Sequence, residues 1–324
     1  MSREAILRFD CFGSRCAVLV TGGGRLGSAE LATQLVRRQL REWHVRFSRF
    51  DPSSELSLVN RDPRERVDVT KTMARLAEAA VDSARKTGGL VDGTLVEEIE
   101  GAGYEADLDG SLSLNELLLL APPRTPATAS PLGRWGEISV DTTKGVIERP
   151  PGVQLDSGGL AKGLFADLVA ERLGDHGAFA VDCGGDLRLG GADGALRTVD
   201  VASPFDDGVL HRFELADCGI ATSGIGKRSW IGRDGLPAHH LLNPGTGRPA
   251  FTGIVQATAL APTALEAERL AKAAVLSGPE RAGEWLAHGG VVVFEDGTHE
   301  VMEPTRKAEP NGHERHAAPV LDHQ

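Results

Sequence analysis

The segment "LDSGGLAKG" at 155–163 sets Asp156, Gly158, Gly159 and Lys162 at the mouth of a helix read from the "LFADLVAERL" that follows. Glycine lets a backbone approach a ligand closely, a helix N-terminus favours an anion, and a lysine three residues on reaches a phosphate. The same residues also make an ordinary strand-to-helix turn, and GxxxxGK[ST] is absent, so this is not a P-loop. "AVDCGGDLRLGG" at 180–191 repeats the theme with Gly185 and Asp186, as a second ligand turn or as a β-bulge. "IATSGIGKRSW" at 220–230 offers the Thr222 and Ser223 hydroxyls. Without a GxSxG elbow they read as ligand-binding groups rather than a nucleophile. "HHLLNPGTGRP" at 239–249 puts His239 and His240 before a Pro-Gly turn. One of them beside a ligand is a general base at neutral pH; otherwise both are structural histidines in a loop. No HxH or HExxH spacing accompanies them, so zinc is not indicated. Glu268 and Lys272 stand four apart on a helix in the favoured order for an ion pair, which by itself is a surface pair.

The elements that position these groups follow from periodicity and caps. "AVLVTGG" at 17–23 predicts a buried strand, and Ser28 caps a helix with Leu31, Leu35, Val36, Leu40 and Trp43 at helical spacing. Thr70 caps a second helix that stops at Gly88. The pattern weakens over 104–135, where "PPRTPATASP" reads as a surface loop open to insertion. From 138 the order is a hairpin, a helix after Lys162 ending at Gly174, strands in "AFAVDC" and "RTVDVA", and a strand "IVQATALA". A helix follows with a capping box at Thr263 and Glu266, closing at Gly278, and then a short helix from Pro279 and a final strand "GGVVVF". Hairpins mixed with helices predict an α+β fold with mixed or antiparallel sheets.

The chain has 324 residues, enough for one compact catalytic unit or two intimately packed subdomains. A formal net charge of −11 excludes a nonspecific nucleic-acid binder and requires a local positive site for any anionic ligand. Four cysteines without CxxC spacing suit reduced thiols in the cytoplasm. Charges interrupt the N-terminal segment where a signal peptide needs an apolar run, and no stretch approaches the roughly 20 apolar residues of a membrane span. The end of the chain, 304–324, lacks an apolar period and reads as a disordered tail.

Eight ordered pieces carry a resemblance. They are "FGS" at 12–14, "FSRFDPSSELSLVN" at 47–60, "GGLVDGTL" at 88–95, "LDSGGLAKGLFADLVAERL" at 155–173, "VDCGGDLRLGG", "IATSG", "HLLNPGTG" and "ALEAERLAKAAVLSG" at 264–278. Over roughly residues 8–295 the chain resembles the ApbE family, the FAD:protein FMN transferases. The resemblance implies an ApbE-like fold, FAD as substrate, magnesium, and transfer of FMN to a threonine hydroxyl of an acceptor flavoprotein with release of AMP. Some relatives instead hydrolyse FAD to FMN and AMP, and a catalytically impaired FAD-binding protein is a third expectation. The resemblance further implies Phe12, Phe50, Asp51, Asp92, Lys162, Gly185, Asp186, Thr222, Ser223 and Leu242 around the flavin nucleotide, and His240 as the base. Its metal is held by a backbone carbonyl, here Gly159, and by an aspartate and a threonine whose positions carry Glu268 and Lys272. Lys272 is thereby expected to place its own charge at the pyrophosphate. Departures from the family pattern are Gly93 for a proline, Asn243 for an aspartate, and Lys272 for an oxygen ligand.

Overall fold

The structure, a computed structural model, describes residues 3–105 and 112–305. Its frame is one sheet of eight strands: β1 (Ala5–Cys11), β2 (Ser14–Thr21), β3 (Ala178–Asp182), β4 (Asp186–Gly190), β5 (Cys218–Gly224), β6 (Ile254–Ala261), β7 (Gly290–Phe294) and β8 (His299–Met302). Spatial order follows chain order, and every neighbouring pair is antiparallel. In β2 the strand period of two buries Cys16, Val18 and Val20 and leaves the residues between them nearer solvent. Strand β6 is buried at all eight positions, as expected of a strand covered on both faces.

Four helices build the layers. Helix α1 (Ala29–Arg46) starts where Ser28 Oγ accepts the Leu31 amide, and α2 (Lys71–Lys86) starts where Thr70 accepts the Met73 amide. Gly88 after α2 has φ +60, the left-handed conformation that favours glycine. Helices α3 (Ala161–Leu173) and α4 (Ala264–Ser277) are buried almost all round, α4 against β5 and β6. One large apolar cluster gathers β1–β3 with α1, α2 and α3, and another gathers β6 and β7 with α4.

Most predicted elements stand, and several differences have physical causes. The capping box at α4 is only half formed: Thr263 accepts the Glu266 amide, but the Glu266 carboxylate turns to Arg269. Asp167 of α3 takes the Ala264 and Leu265 amides instead. The "PPRTPATASP" loop is mostly exposed yet stitched down, since the Ala127 amide donates to Leu276 O and the Thr128 amide to Asn243 Oδ1. After Pro279 the chain forms a 3-10 turn, Ala282–Trp285, rather than an α-helix. The sheet runs from Ala5 to Met302. The predicted tail lies outside the described residues from 306 onward. All four cysteines are free thiols, and among the described residues no helix is long and apolar enough to cross a membrane.

Candidate active site

The site begins where α3 and α4 cross. A Cβ added at Gly163 would lie 2.7 Å from Ala264 O, so glycine there allows backbone against backbone. Asp167, one turn along α3, holds the first amides of α4 at 2.9 Å each. This docking brings Glu268 beneath the "SGGLAKG" turn, where it has no exposed surface. Its Oε2 accepts the Gly163 amide at 2.9 Å and its Oε1 accepts Lys272 Nζ at 2.9 Å. A protein carboxylate thus occupies an amide of the α3 N-terminus that the sequence offered to a phosphate.

Four charges alternate around this point, three of them buried and the fourth, Lys162, partly exposed. Lys162 Nζ donates to Asp186 Oδ2, and Asp186 is 1% exposed. Burial pulls the Lys162 ammonium down, but attraction to Asp186 and Glu268 outweighs it and pushes its pKa up to about 12. Burial raises the Glu268 carboxyl, Asp186 adds to that, and Lys272 and Lys162 oppose it without cancelling it. Lys272 lies along the glycine turn, its Cε 3.7 Å from where a Gly159 Cβ would stand. The second glycine turn is folded by Asp182, whose Oδ1 accepts the Gly184 and Gly185 amides at 2.8 Å each. Gly185 O in turn accepts the Thr222 amide at 3.1 Å.

Two chambers open from this core and share Tyr104, Gly158, Arg228, His240 and Lys272 as a neck. The first is mainly apolar, walled by Leu90, Leu95, Ile99, Leu160 and Leu242 with Asp92 at its edge. The second is larger and mixes polar and apolar groups about equally, walled by Gly184, Gly185, Thr222, Ser223, Lys162 and the 199–204 segment, which includes the end of the strand Arg197–Ala202. At the neck Arg228 is steered by donating to Phe12 O at 2.9 Å, a carbonyl turned by the positive φ of Phe12. His240 Nδ1 is buried and has no hydrogen-bond partner among the described residues. Burial drives the His240 pKa well below its ordinary value, and the charges of Arg228, Lys272 and Lys162 push the same way. The ring is therefore neutral at pH 7, with a proton-accepting nitrogen available.

Of the residues expected from sequence, the structure brings Asp92, Gly159, Lys162, Gly185, Thr222, Ser223, His240, Leu242 and Lys272 to this double chamber. Asp186 and Glu268 sit behind it as partners of the two lysines. Three others stand apart. The Phe12 ring packs on His44 and Phe165 in the core. Phe50 is 39% exposed and meets Tyr104 edge to face at 5.4 Å. Asp51 turns back to the amide and hydroxyl of Ser53. Asn243 does not hydrogen-bond His240; its Oδ1 accepts the Thr128 and Gly245 amides, so it clamps the turn that carries the histidine.

Sequence reasoning missed Arg228 and Tyr104. Arg228 lies in "GKRSW", five residues after the Ser223 hydroxyl, with no spacing that marks it as a ligand group. Tyr104 is the chain's only tyrosine; it stacks on Trp230 at 5.2 Å with the Arg49 guanidinium 5.3 Å from its ring centre.

The magnesium implied by the resemblance does not fit these residues. Both Glu268 oxygens are engaged, and an ammonium, which has no lone pair, stands at the next position. Among the described residues no group of three or more His, Cys, Asp or Glu is disposed to hold a metal ion.

Crossed buried helices on an antiparallel sheet, with a cationic neck beside a neutral histidine, define an α+β protein suited to an anionic ligand that spans two chambers. The sequence profile of the ApbE family matches residues 12–294, and this chain belongs to that family. The FAD:protein FMN transferase of Treponema pallidum is 27% identical over 288 residues, covering 83% of this chain and 78% of its own. That of Escherichia coli K12 is 31% identical over 150 residues, covering 44% and 42%. Among solved structures, the ApbE protein of Thermotoga maritima superposes with a TM-score of 0.74 at 23% identity, over 93% of this chain and 97% of its own. The flavin transferase ApbE of Vibrio cholerae gives 0.71 at 20%, over 94% and 99%.

Proposed function

We infer that this chain is an FAD:protein FMN transferase. In the reaction a threonine hydroxyl oxygen of the acceptor protein bonds to the phosphorus of the FMN half of FAD. The bond from that phosphorus to the bridging oxygen breaks, and AMP leaves with that oxygen. The hydroxyl proton passes to His240. The pyrophosphate lies in the neck, with one ring system of FAD in each chamber. Arg228, Lys272 and, from the larger chamber, Lys162 offset the charge that builds on the phosphates. Asp186 holds Lys162 in place, and the two glycine turns let the backbone approach the nucleotide. Reduced thiols suit a cytoplasmic setting.

The observation that carries this reading is a partly exposed, neutral imidazole whose Nδ1 is buried and unpartnered, at a neck shared with two cationic side chains. The test incubates the protein with FAD and a flavoprotein acceptor bearing a surface threonine. Mass spectrometry should find FMN on the threonine and an equal amount of AMP in solution. Free FMN and AMP with an unmodified acceptor would assign hydrolysis instead. FAD left intact for hours would leave only binding.

A further inference from the structure

We propose that this protein acts on FAD without a divalent cation, because the Lys272 ammonium, anchored by Glu268 beneath the Gly158–Gly159 turn, is the resident cation of the pyrophosphate site. The inference rests on the functional reading above, but it concerns a different property of the same site.

Three observations converge. First, Glu268 is fully buried with both oxygens engaged, one by Lys272 Nζ and one by the Gly163 amide. A divalent ion at this carboxylate would meet the Lys272 ammonium already bonded to Oε1, 2.9 Å away, and like charges at that distance repel. Second, these four groups already balance one another: Lys162 with Asp186 and Lys272 with Glu268 make two ion pairs, the second buried and the first open only at Lys162, and the charges of each act on the other. Adding two positive charges among two ammonium groups is electrostatically opposed, and the one carboxylate oxygen of the four groups without a partner among the described residues, Asp186 Oδ1, belongs to the Lys162 pair rather than to Glu268. Third, Lys272 belongs to the cleft as well as to the pair. It borders both chambers at the neck with His240 and Arg228, and a tenth of its side chain remains exposed. One N–H points to Glu268, and an ammonium has two more to offer an anion.

Lys272 therefore does by position what a metal does by coordination. It sets a fixed positive charge against the phosphates, on a helix whose N-terminus is locked to α3, so no reorganisation accompanies the reaction. Lysine is a point charge without the angular demands of a six-coordinate ion, so geometry at the phosphate is left to Arg228, whose guanidinium is planar and oriented by Phe12 O.

The test has a binding arm and a turnover arm. Electron paramagnetic resonance titration of the wild type with Mn2+, with and without FAD, should show no stoichiometric bound ion. FAD cleavage in excess EDTA should stay within twofold of that with added Mg2+. The variant Lys272→Thr restores a neutral oxygen beside Glu268 and Gly159 O, and it should acquire Mn2+ binding and a cleavage activity that falls at least tenfold in EDTA. One Mn2+ bound per wild-type chain, or a tenfold loss of wild-type cleavage in EDTA reversed by Mg2+, overturns the proposal. If Lys272→Thr does not fold, the two wild-type measurements still decide. If the wild type cleaves no FAD under any condition, the functional reading fails, and the Mn2+ titration still reports on the cation site independently.

Discussion

Residue 240 matters through what it lacks. A histidine whose Nδ1 is buried and unpartnered and that feels three cations has its pKa held well below the ordinary value, so it carries no second proton at neutral pH. Replacing it by asparagine removes the proton acceptor and keeps the volume small. His240→Asn should lower kcat/KM for transfer by about 10²–10⁴-fold, the usual range for a general base, with little change in FAD affinity by fluorescence titration. Because the free enzyme's pKa is lowered, kcat/KM should hold level from pH 8 through 6.5 and decline only below that. An acid limb centred at 6.5 or above would assign the proton to another group. Its neighbour His239 has no exposed surface and packs edge to face on Phe251 at 4.7 Å, and burial pushes its pKa down to about 3. The unfolded chain protonates this histidine near 6.5 and the folded chain does not, so unfolding takes up a proton and stability falls as pH drops from 6.5 towards 3. His239→Asn keeps an acceptor for the Leu241 amide that Nδ1 now takes. Urea denaturation between pH 6 and 4 should show that variant losing about 1.4 kcal/mol less per pH unit than the wild type. At this scale the sequence made the charged and hydroxylic residues of the site legible by type and order. It concealed Arg228, whose role depends on a carbonyl 216 positions earlier, and it could not separate Asp186 and Glu268, which hold lysines, from groups facing a ligand.

Among the elements, the crossing of α3 and α4 sets the geometry, and its tightest point is Gly163. Helix propensity alone favours alanine over glycine in a helix by about 0.8–1 kcal/mol. The added methyl would stand 2.7 Å from Ala264 O and 2.8 Å from Leu265 Cα, backbone atoms that cannot step aside. Overpacking wins, so Gly163→Ala should destabilise by roughly 1–3 kcal/mol in a denaturant titration. It should also weaken FAD turnover by moving Glu268 and Lys272 away from the glycine turn; a stabilised variant would contradict the close crossing. Helices α1, α2 and α4 were legible because each opens on a side-chain cap, at Ser28, Thr70 and Thr263. Strand β1 was not, although "LRFDC" alternates apolar with charged residues as a half-buried strand does, because the alternation is only five residues long and begins on the last of three successive apolar residues that break the period of two. Leu114–Leu120 is a helix with a complete Ser113–Glu116 capping box, yet four successive leucines masked its period. Asn243 and the strapped 125–128 segment are a third case, since a loop's docking partner lies 115 positions away and leaves no local trace.

For the molecule as a whole, no stretch of chain holds the site alone. The neck takes Tyr104 and Gly158 from one half of the sequence and Arg228, His240 and Lys272 from the other. A single sheet runs between the two large apolar clusters, and the buried α3–α4 crossing ties one to the other. The antiparallel α+β class could be read from hairpins among helices, but this closure could not, because it rests on pairings such as β2 with β3 across more than 150 positions. The arrangement has a thermodynamic consequence. If a cleft assembled from both clusters binds FAD, then FAD binds only the fully folded chain and stabilises all of it, by RT ln(1 + [FAD]/Kd). At one hundred times Kd that amounts to about 2.7 kcal/mol, which raises the midpoint of a chain this size by on the order of 5 °C. Calorimetry should show one transition that moves intact with FAD. Two transitions, only one of them shifted, would mean that the nucleotide is held by one cluster without the other. Because Lys272 and Glu268 already supply the cation and its anchor, the same shift should appear in EDTA, without added metal.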